Sequence, residues 1–230
     1  GLAAIRKLVF QDKQVAPEAL LQALRDDWQG HEALRQRLLH DAPKYGNDVP
    51  EVDDIARQVG EHFIALMDQM RSPLGGRYYV HLFTFLLNIA YGKATGATPD
   101  GRMANEPLAY SLSAHQGRDE AGVTALINSV ARLPHNQSGG ATAAIIEIDP
   151  VLVATPEGVD RLADAIQSAI DMGVGQMQWN VTTVERLELA QRDPEHYGNI
   201  TVRVAGYSQM FKLVDRELQN HIIARTKHAR

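Results

Sequence analysis

Two stretches of the chain place residues where they could do chemistry. One is Val202-Arg203-Val204-Ala205-Gly206-Tyr207-Ser208-Gln209-Met210-Phe211, near the C-terminus. A β-rich run from Ile200 to Val204 leads into a single glycine, then an aromatic and a hydroxyl residue, and the pattern beyond them predicts an amphipathic helix. A serine so close to a strand-end glycine raises the question of a nucleophile elbow, which requires G-x-S-x-G. Gly206-Tyr207-Ser208-Gln209-Met210 lacks the second glycine, so that chemistry is excluded. By its local chemistry alone, Gly206 is a turn glycine at the end of a strand. The other stretch is Gln176-Met177-Gln178-Trp179-Asn180-Val181. Alternation along a strand puts the amides of Gln176, Gln178 and Asn180 on one face and Met177, Trp179 and Val181 on the other. Such a face is either solvated or a row of hydrogen-bonding groups able to pin a neighbouring loop.

The first stretch resembles the signature R-V-x-G-Y-x-x-x-F of the glycyl radical enzymes, with every fixed position filled by Arg203, Val204, Gly206, Tyr207 and Phe211. The resemblance implies that Gly206 stores an unpaired electron. The physical reason for glycine is geometric. A radical on the α-carbon is delocalised into both flanking amides only if that carbon and its neighbours flatten, and a Cβ would then clash with the backbone. Further segments carry the same likeness: Leu2 to Phe10, Ala42-Pro43-Lys44-Tyr45-Gly46-Asn47-Asp48, Gly96-Ala97-Thr98-Pro99-Asp100-Gly101-Arg102, the Q-x-N-V element Gln178 to Val181, and Ile222-Ile223-Ala224-Arg225-Thr226. One departure stands out. Where the family usually has an Asp-Gly pair before Ile-Ser-Pro, this chain has Tyr110-Ser111 and then Leu112-Ser113-Ala114.

Composition sets the frame. The chain has 230 residues, 44% hydrophobic and 22% charged, with formal net charge -5. That is an ordinary globular balance with enough residues for a sizeable core, and it argues against a nucleic-acid partner. No apolar run reaches the length of a membrane span, since Val80 to Ala90 is interrupted by His81, Thr84 and Asn88. The opening Gly1 to Arg6 reads as amphipathic rather than as a secretory leader, so a cytoplasmic location is the expectation. There is no cysteine, which excludes disulfides and thiolate metal sites. The nine histidines fall in no ligand spacing, so no metal site is expected.

The elements that must position these residues can be read in order. Residues 1–75 are helical by pattern: Leu2, Ile5, Leu8 and Val9; then Ala16-Pro17-Glu18 opening a helix with a stripe of Leu20, Leu21 and Leu24; then Leu34, Leu38 and Leu39; then Val52, Ile55, Ala56, Val59, Phe63 and Met67. Tyr78 to Gly92 reads as a buried strand, with a helix as the alternative for so short an apolar run. Thr98-Pro99-Asp100-Gly101 is a turn by its own chemistry. A helix is expected between Gln116 and His135, and Ala143 to Ile148 as a strand. Thr155-Pro156-Glu157 starts a helix with Leu162, Ile166, Ala169 and Ile170 inside. Thr182-Thr183-Val184-Glu185 starts another as a capping box, and Asp215 to about Thr226 forms the last.

The resemblance implies an α/β fold: the C-terminal part of a ten-stranded β/α barrel, with a helical N-terminal segment and a glycine-radical loop. A soft boundary near Gly175 would divide residues 1–175, the helical segment and partial barrel, from residues 176–230, the radical domain. It further implies that Gly206 is catalytic and that Arg203, Tyr207, Ser208, Phe211, Gln178 and Asn180 support its loop. A radical S-adenosylmethionine activase with an iron–sulfur cluster would install the radical. A cysteine-bearing N-terminal chain would receive it and attack a small-molecule substrate under anaerobic conditions. Alternatives within the resemblance are a spare part that restores an oxygen-cleaved pyruvate formate-lyase-like enzyme, or an inactive interaction module.

Overall fold

A computed structural model describes residues 1–225 and 227–229. The chain forms two compact units, Gly1–Lys44 with Leu87–Leu108, and Tyr45–Leu86 with Ala109–Arg230.

The first unit is helical. A short helix Leu2–Ala4 runs on as a π-helical segment, Ile5–Gln11, and is followed by Pro17–Arg25, Glu32–His40 and Leu87–Lys93. Its core is Leu8, Leu20, Ala23, Trp28 and Leu38. The expected stripe of the helix Pro17–Arg25 shifts in register: Leu20 and Ala23 are buried and Leu21 is exposed. The Thr98–Arg102 turn is closed by hydrogen bonds from Thr98 N–H to Arg102 O and from Gly101 N–H to Thr98 O, each 3.0 Å. Gly101 has φ +90, and a Cβ there would lie 2.5 Å from Leu39 Cγ, so only glycine fits. Arg102 is fully buried, and its fork donates to the carbonyls of Thr95, Gly96, Met103 and Glu106. Five donors in a planar fork match such a carbonyl cage, which an ammonium would not.

The second unit has an α/β core. Strands β1 (Ala143–Ile148) and β2 (Gln176–Val181) pair in parallel, with Ile145 opposite Gln178 and Glu147 opposite Asn180. Parallel neighbours need a crossover, supplied by the helix Pro156–Asp171. Thr155 caps that helix through Gly158 N–H and Pro156 begins it, as the sequence indicates. One face of the ladder, Ala144, Ile146, Ile148, Met177 and Trp179, packs with Leu126, Ile127 and Val130 of the helix Val123–Ala131 and with Ala169. Burying Ile146 and Ile148 stabilises by roughly 1.5–3 kcal/mol each relative to exposure. The opposite face carries Ile145, Glu147, Gln178 and Asn180, all buried. Strands β3 (Thr201–Arg203) and β4 (Ser208–Met210) form an antiparallel hairpin. The helices Val184–Arg192 and Arg216–Ile223 complete this part, and the tail bridges β1 through His228 N–H to Glu147 O at 3.0 Å.

Several expectations need correction. Tyr78 to Gly92 is not a buried strand. Only Val80 O and Leu82 N–H bond to the backbone at Gly140 and Ala141; Tyr79 and Phe85 are exposed, and Phe85 has φ +54, which no regular strand holds. The part beyond Leu86 is the helix Leu87–Lys93. The helix Pro50–Asp68 buries Val52, Asp53 and Ile64, and leaves Val59 and Phe63 exposed. Ile170 is likewise exposed. Thr183, not Thr182, caps the helix Val184–Arg192 by accepting from Arg186 N–H, so position N3 is Arg186 and the reciprocal half of a capping box is absent. No helix follows Gly206 directly: the chain turns back as β4. The last helix ends at Ile223, and Thr226 lies outside the described residues. Among the described residues no helix is long and apolar enough to cross a membrane.

Candidate functional site

The residues of the first stretch come together at the tip of the β3–β4 hairpin. Arg203 pairs with Ser208, Val204 N–H donates to Tyr207 O at 2.9 Å, and residues 204–207 make the turn. Gly206 sits in it with φ +81, a conformation glycine adopts without the cost a side chain brings. Val204 and Ala205 are buried, whereas Gly206, Tyr207 and Ser208 are exposed. The Arg203 guanidinium donates through Nη1 to Ser208 Oγ at 3.1 Å, closing the neck of the hairpin with side chains as well as backbone. A Cβ built on Gly206 would meet only Phe83, at 3.7 Å.

Two amides of β2 reach the hairpin. Gln178 Oε1 accepts from Gly206 N–H at 3.0 Å. Asn180 Oδ1 accepts from Arg203 N–H at 2.6 Å, and Asn180 Nδ2 donates to Arg203 O at 3.1 Å. Asn180 thereby acts as one residue of an extra strand beside β3. Gln176, the third amide on that face, is exposed and takes no part. Of the amides on that face, Gln178 and Asn180 are buried and hydrogen-bonded to the hairpin.

Aromatic rings flank the tip. Tyr207 lies 6.1 Å from the Phe85 ring, centroid to centroid, and Phe85 is 5.9 Å from Phe83. Phe211 is fully buried, and its N–H donates to Ile200 O at 2.7 Å. It supports the base of the hairpin, while the ring beside Gly206 is Phe83.

Beneath the amides lies a buried charge cluster. Glu147 Oε1 accepts from Asn180 Nδ2 and from Arg225 Nη1, both at 2.9 Å. Lys227 Nζ stands 3.8 Å from Glu147 Oε2. Burial pulls the Lys227 ammonium below its ordinary value, partly opposed by Glu147. The Arg225 guanidinium stacks 4.4 Å above the Tyr110 ring, whose hydroxyl is pushed up by burial. His221 meets Tyr110 edge-on at 5.2 Å; burial, then the Arg225 cation, takes it down to about 3, so it is neutral at physiological pH.

Residues 1–92 match the model of the pyruvate formate lyase-like family, and residues 108–212 match that of the glycine radical family. The chain belongs to the glycyl radical enzymes. Among curated relatives of this glycyl radical chain are Probable dehydratase YbiW of Escherichia coli, 37% identical over 99% of this chain, and isethionate sulfite-lyase of Bilophila wadsworthia, 35% identical over 99%. Among solved structures, the glycerol-bound B12-independent glycerol dehydratase of Clostridium butyricum superposes with a TM-score of 0.94 at 36% identity over 100% of this chain. The chain spans 29%, 28% and 29% of those three proteins, respectively.

Sequence reasoning missed four residues at this hairpin: Phe83, Phe85, Glu147 and Arg225. The two phenylalanines fall in a segment whose pattern suggests a buried strand. Glu147 is a lone charge inside an otherwise apolar strand, and that was the available signal. Its partner Arg225 is 78 residues away.

Proposed function

We propose that this chain is the radical-bearing part of a glycyl radical lyase or dehydratase, and that the α-carbon of Gly206 stores the unpaired electron. The observation that carries the reading is the state of Gly206. Its N–H is held by Gln178, the residue is exposed at a hairpin tip, and a Cβ built there would meet, among the described residues beyond its chain neighbours, only Phe83 at 3.7 Å. Arg203 and Ser208 clamp the neck, Asn180 holds Arg203, Tyr207 shields the tip together with Phe85, and Phe211 anchors the base. We assign the radical module to residues 176–230. The β1–helix–β2 unit would be part of a ten-stranded β/α barrel completed by residues beyond these 230.

The chain contains no cysteine, so the thiol that meets the substrate comes from outside it. An activase, using S-adenosylmethionine and an iron–sulfur cluster, takes one hydrogen atom from the α-carbon of Gly206. In each turnover a cysteine S–H returns a hydrogen atom to that carbon, leaving a thiyl radical to attack a small-molecule substrate. The hairpin's task is to hold the α-carbon in place and keep dioxygen away. The setting is anaerobic and cytoplasmic.

Dioxygen supplies a test, because it adds to carbon radicals and breaks the backbone there. After anaerobic activation, exposure to air should cut the chain at residue 206, giving two fragments by mass spectrometry, and Gly206→Ala should stay whole. An intact wild-type chain after an activation that consumes S-adenosylmethionine would refute the proposal.

A further inference from the structure

We infer that Glu147, held by Arg225, is a positioning residue for the Gly206 hairpin: its carboxylate dictates which way round the Asn180 amide sits. The consequence for the radical rests on the proposed function above; the geometry does not.

Asn180 has two amide hydrogens and one carbonyl oxygen, and all are in use. One hydrogen goes to Glu147 Oε1 at 2.9 Å and the other to Arg203 O at 3.1 Å, while Oδ1 accepts from Arg203 N–H at 2.6 Å. Turned over, the amide would set its oxygen against the carboxylate and against Arg203 O, and its NH₂ against Arg203 N–H. A carboxylate paired with cations accepts hydrogen bonds and does not donate. Glu147 therefore admits one orientation of Asn180 only, the one that grips β3 at both its N–H and its C=O.

Glu147 is fixed in turn by the C-terminal segment. Arg225 Nη1 donates to the same Oε1 at 2.9 Å, and Lys227 Nζ faces Oε2 at 3.8 Å. All three side chains are buried, at 0–5% exposure, so their charges must be matched to one another rather than to water. Arg225 is itself steadied over Tyr110 and follows the helix Arg216–Ile223. Lys227 Nζ donates to Ile222 O at 2.7 Å and Arg225 O at 3.0 Å, satisfying carbonyls at that helix's end. The tail backbone is stitched to β1 by His228 N–H to Glu147 O and Asp149 N–H to His228 O. A path of direct contacts thus leads from the last helix through Arg225, Glu147 and Asn180 to Arg203, three residues before Gly206.

The test is residue-resolved amide hydrogen exchange on the full chain. Glutamine at 147 can donate as well as accept, so Glu147→Gln leaves the orientation of Asn180 held by the Arg203 backbone alone. The Arg203 amide should then exchange about tenfold faster, the size expected for loss of one good hydrogen bond. Amides of Ile146 and Trp179 in the parallel ladder should keep their rates. Arg225→Lys, which keeps the charge and loses the fork, serves if Glu147→Gln does not fold, and should give a smaller rise at Arg203 alone. No change at Arg203, or a uniform rise across the ladder, would overturn the inference, since a merely stabilising pair acts on all core amides alike. Anaerobic electron paramagnetic resonance on the same variants reads the consequence: the Gly206 doublet should decay faster in Glu147→Gln than in wild type. A wild-type chain without any doublet would count against the radical reading while leaving the exchange result to decide the role of Glu147.

Discussion

Gln178 and Gly206, 28 residues apart, are joined by one hydrogen bond of 3.0 Å from the glycine N–H to the side-chain Oε1. The donor is an exposed residue of the turn and the acceptor a buried side chain of β2, so the bond ties the tip of the hairpin to the parallel ladder. Gln178 Nε2 is buried with no hydrogen-bond partner among the described residues, so this amide is only half used there.

Replacing Gln178 by leucine should therefore separate stability from positioning. The lost bond and the removed idle donor offset each other, so the unfolding free energy should change by no more than about 1 kcal/mol. The hairpin should loosen all the same. Limited proteolysis should cut the variant between residues 204 and 208 several-fold faster than wild type, while urea denaturation curves nearly coincide.

Gly206→Ala should fold. The site has room, with Phe83 at 3.7 Å from the new methyl group, but φ +81 is unfavourable for alanine. The penalty for a left-handed alanine is about 1–2 kcal/mol. For a chain of this size it corresponds to a melting-point drop of roughly 2–8 °C. Calorimetry on the variant checks this, and a folded variant makes any loss of radical attributable to the α-carbon rather than to unfolding.

Asp53 should give the second unit a pH-dependent stability. It is fully buried on the helix Pro50–Asp68, with Oδ2 accepting from Ser129 Oγ at 3.0 Å and Oδ1 without a hydrogen-bond partner among the described residues. Burial raises the carboxyl to about 6, outweighing the Ser129 hydrogen bond and the Arg132 guanidinium, whose Nε lies 3.8 Å away, and the nearby Asp48 charge adds to the rise. Because the folded form holds its proton at higher pH than the unfolded form, stability is highest below about 4 for this group. It falls as pH rises to about 6 and stays level above, a loss of about 3 kcal/mol. Asp53→Asn should abolish that loss: more stable than wild type at pH 7, about equal at pH 4, by urea denaturation at both values.

Local chemistry made much of this fold legible. Thr155 before Pro156 marks a helix start, the mostly apolar run around Ile145 marks a buried strand, and the Gln178/Asn180 alternation marks a face whose amides hydrogen-bond to the hairpin. Hidden from local reading were features decided by distant partners. The three-residue strand Ser208–Met210 is too short for periodicity to show, and pairing with Thr201–Arg203 alone defines it. Tyr78 to Thr84 has a strand's composition but, among the described residues, forms only two backbone–backbone bonds, to Gly140 and Ala141. At the site, the signature pointed to Gly206 and Arg203. The ring beside Gly206 and the carboxylate beneath Asn180 come from segments whose own sequence gives no hint of a shared location.

Electron paramagnetic resonance decides whether Gly206 carries the radical. The chain would be incubated anaerobically with an activase proven on a full-length glycyl radical enzyme, S-adenosylmethionine and reductant, with and without a cysteine-bearing partner. A radical on Gly206 gives a doublet split by the one remaining α-hydrogen, collapsing to a singlet when the protein is grown on α-deuterated glycine, and missing in Gly206→Ala. A signal that survives Gly206→Ala, or no signal under conditions where the control enzyme is activated, would contradict it.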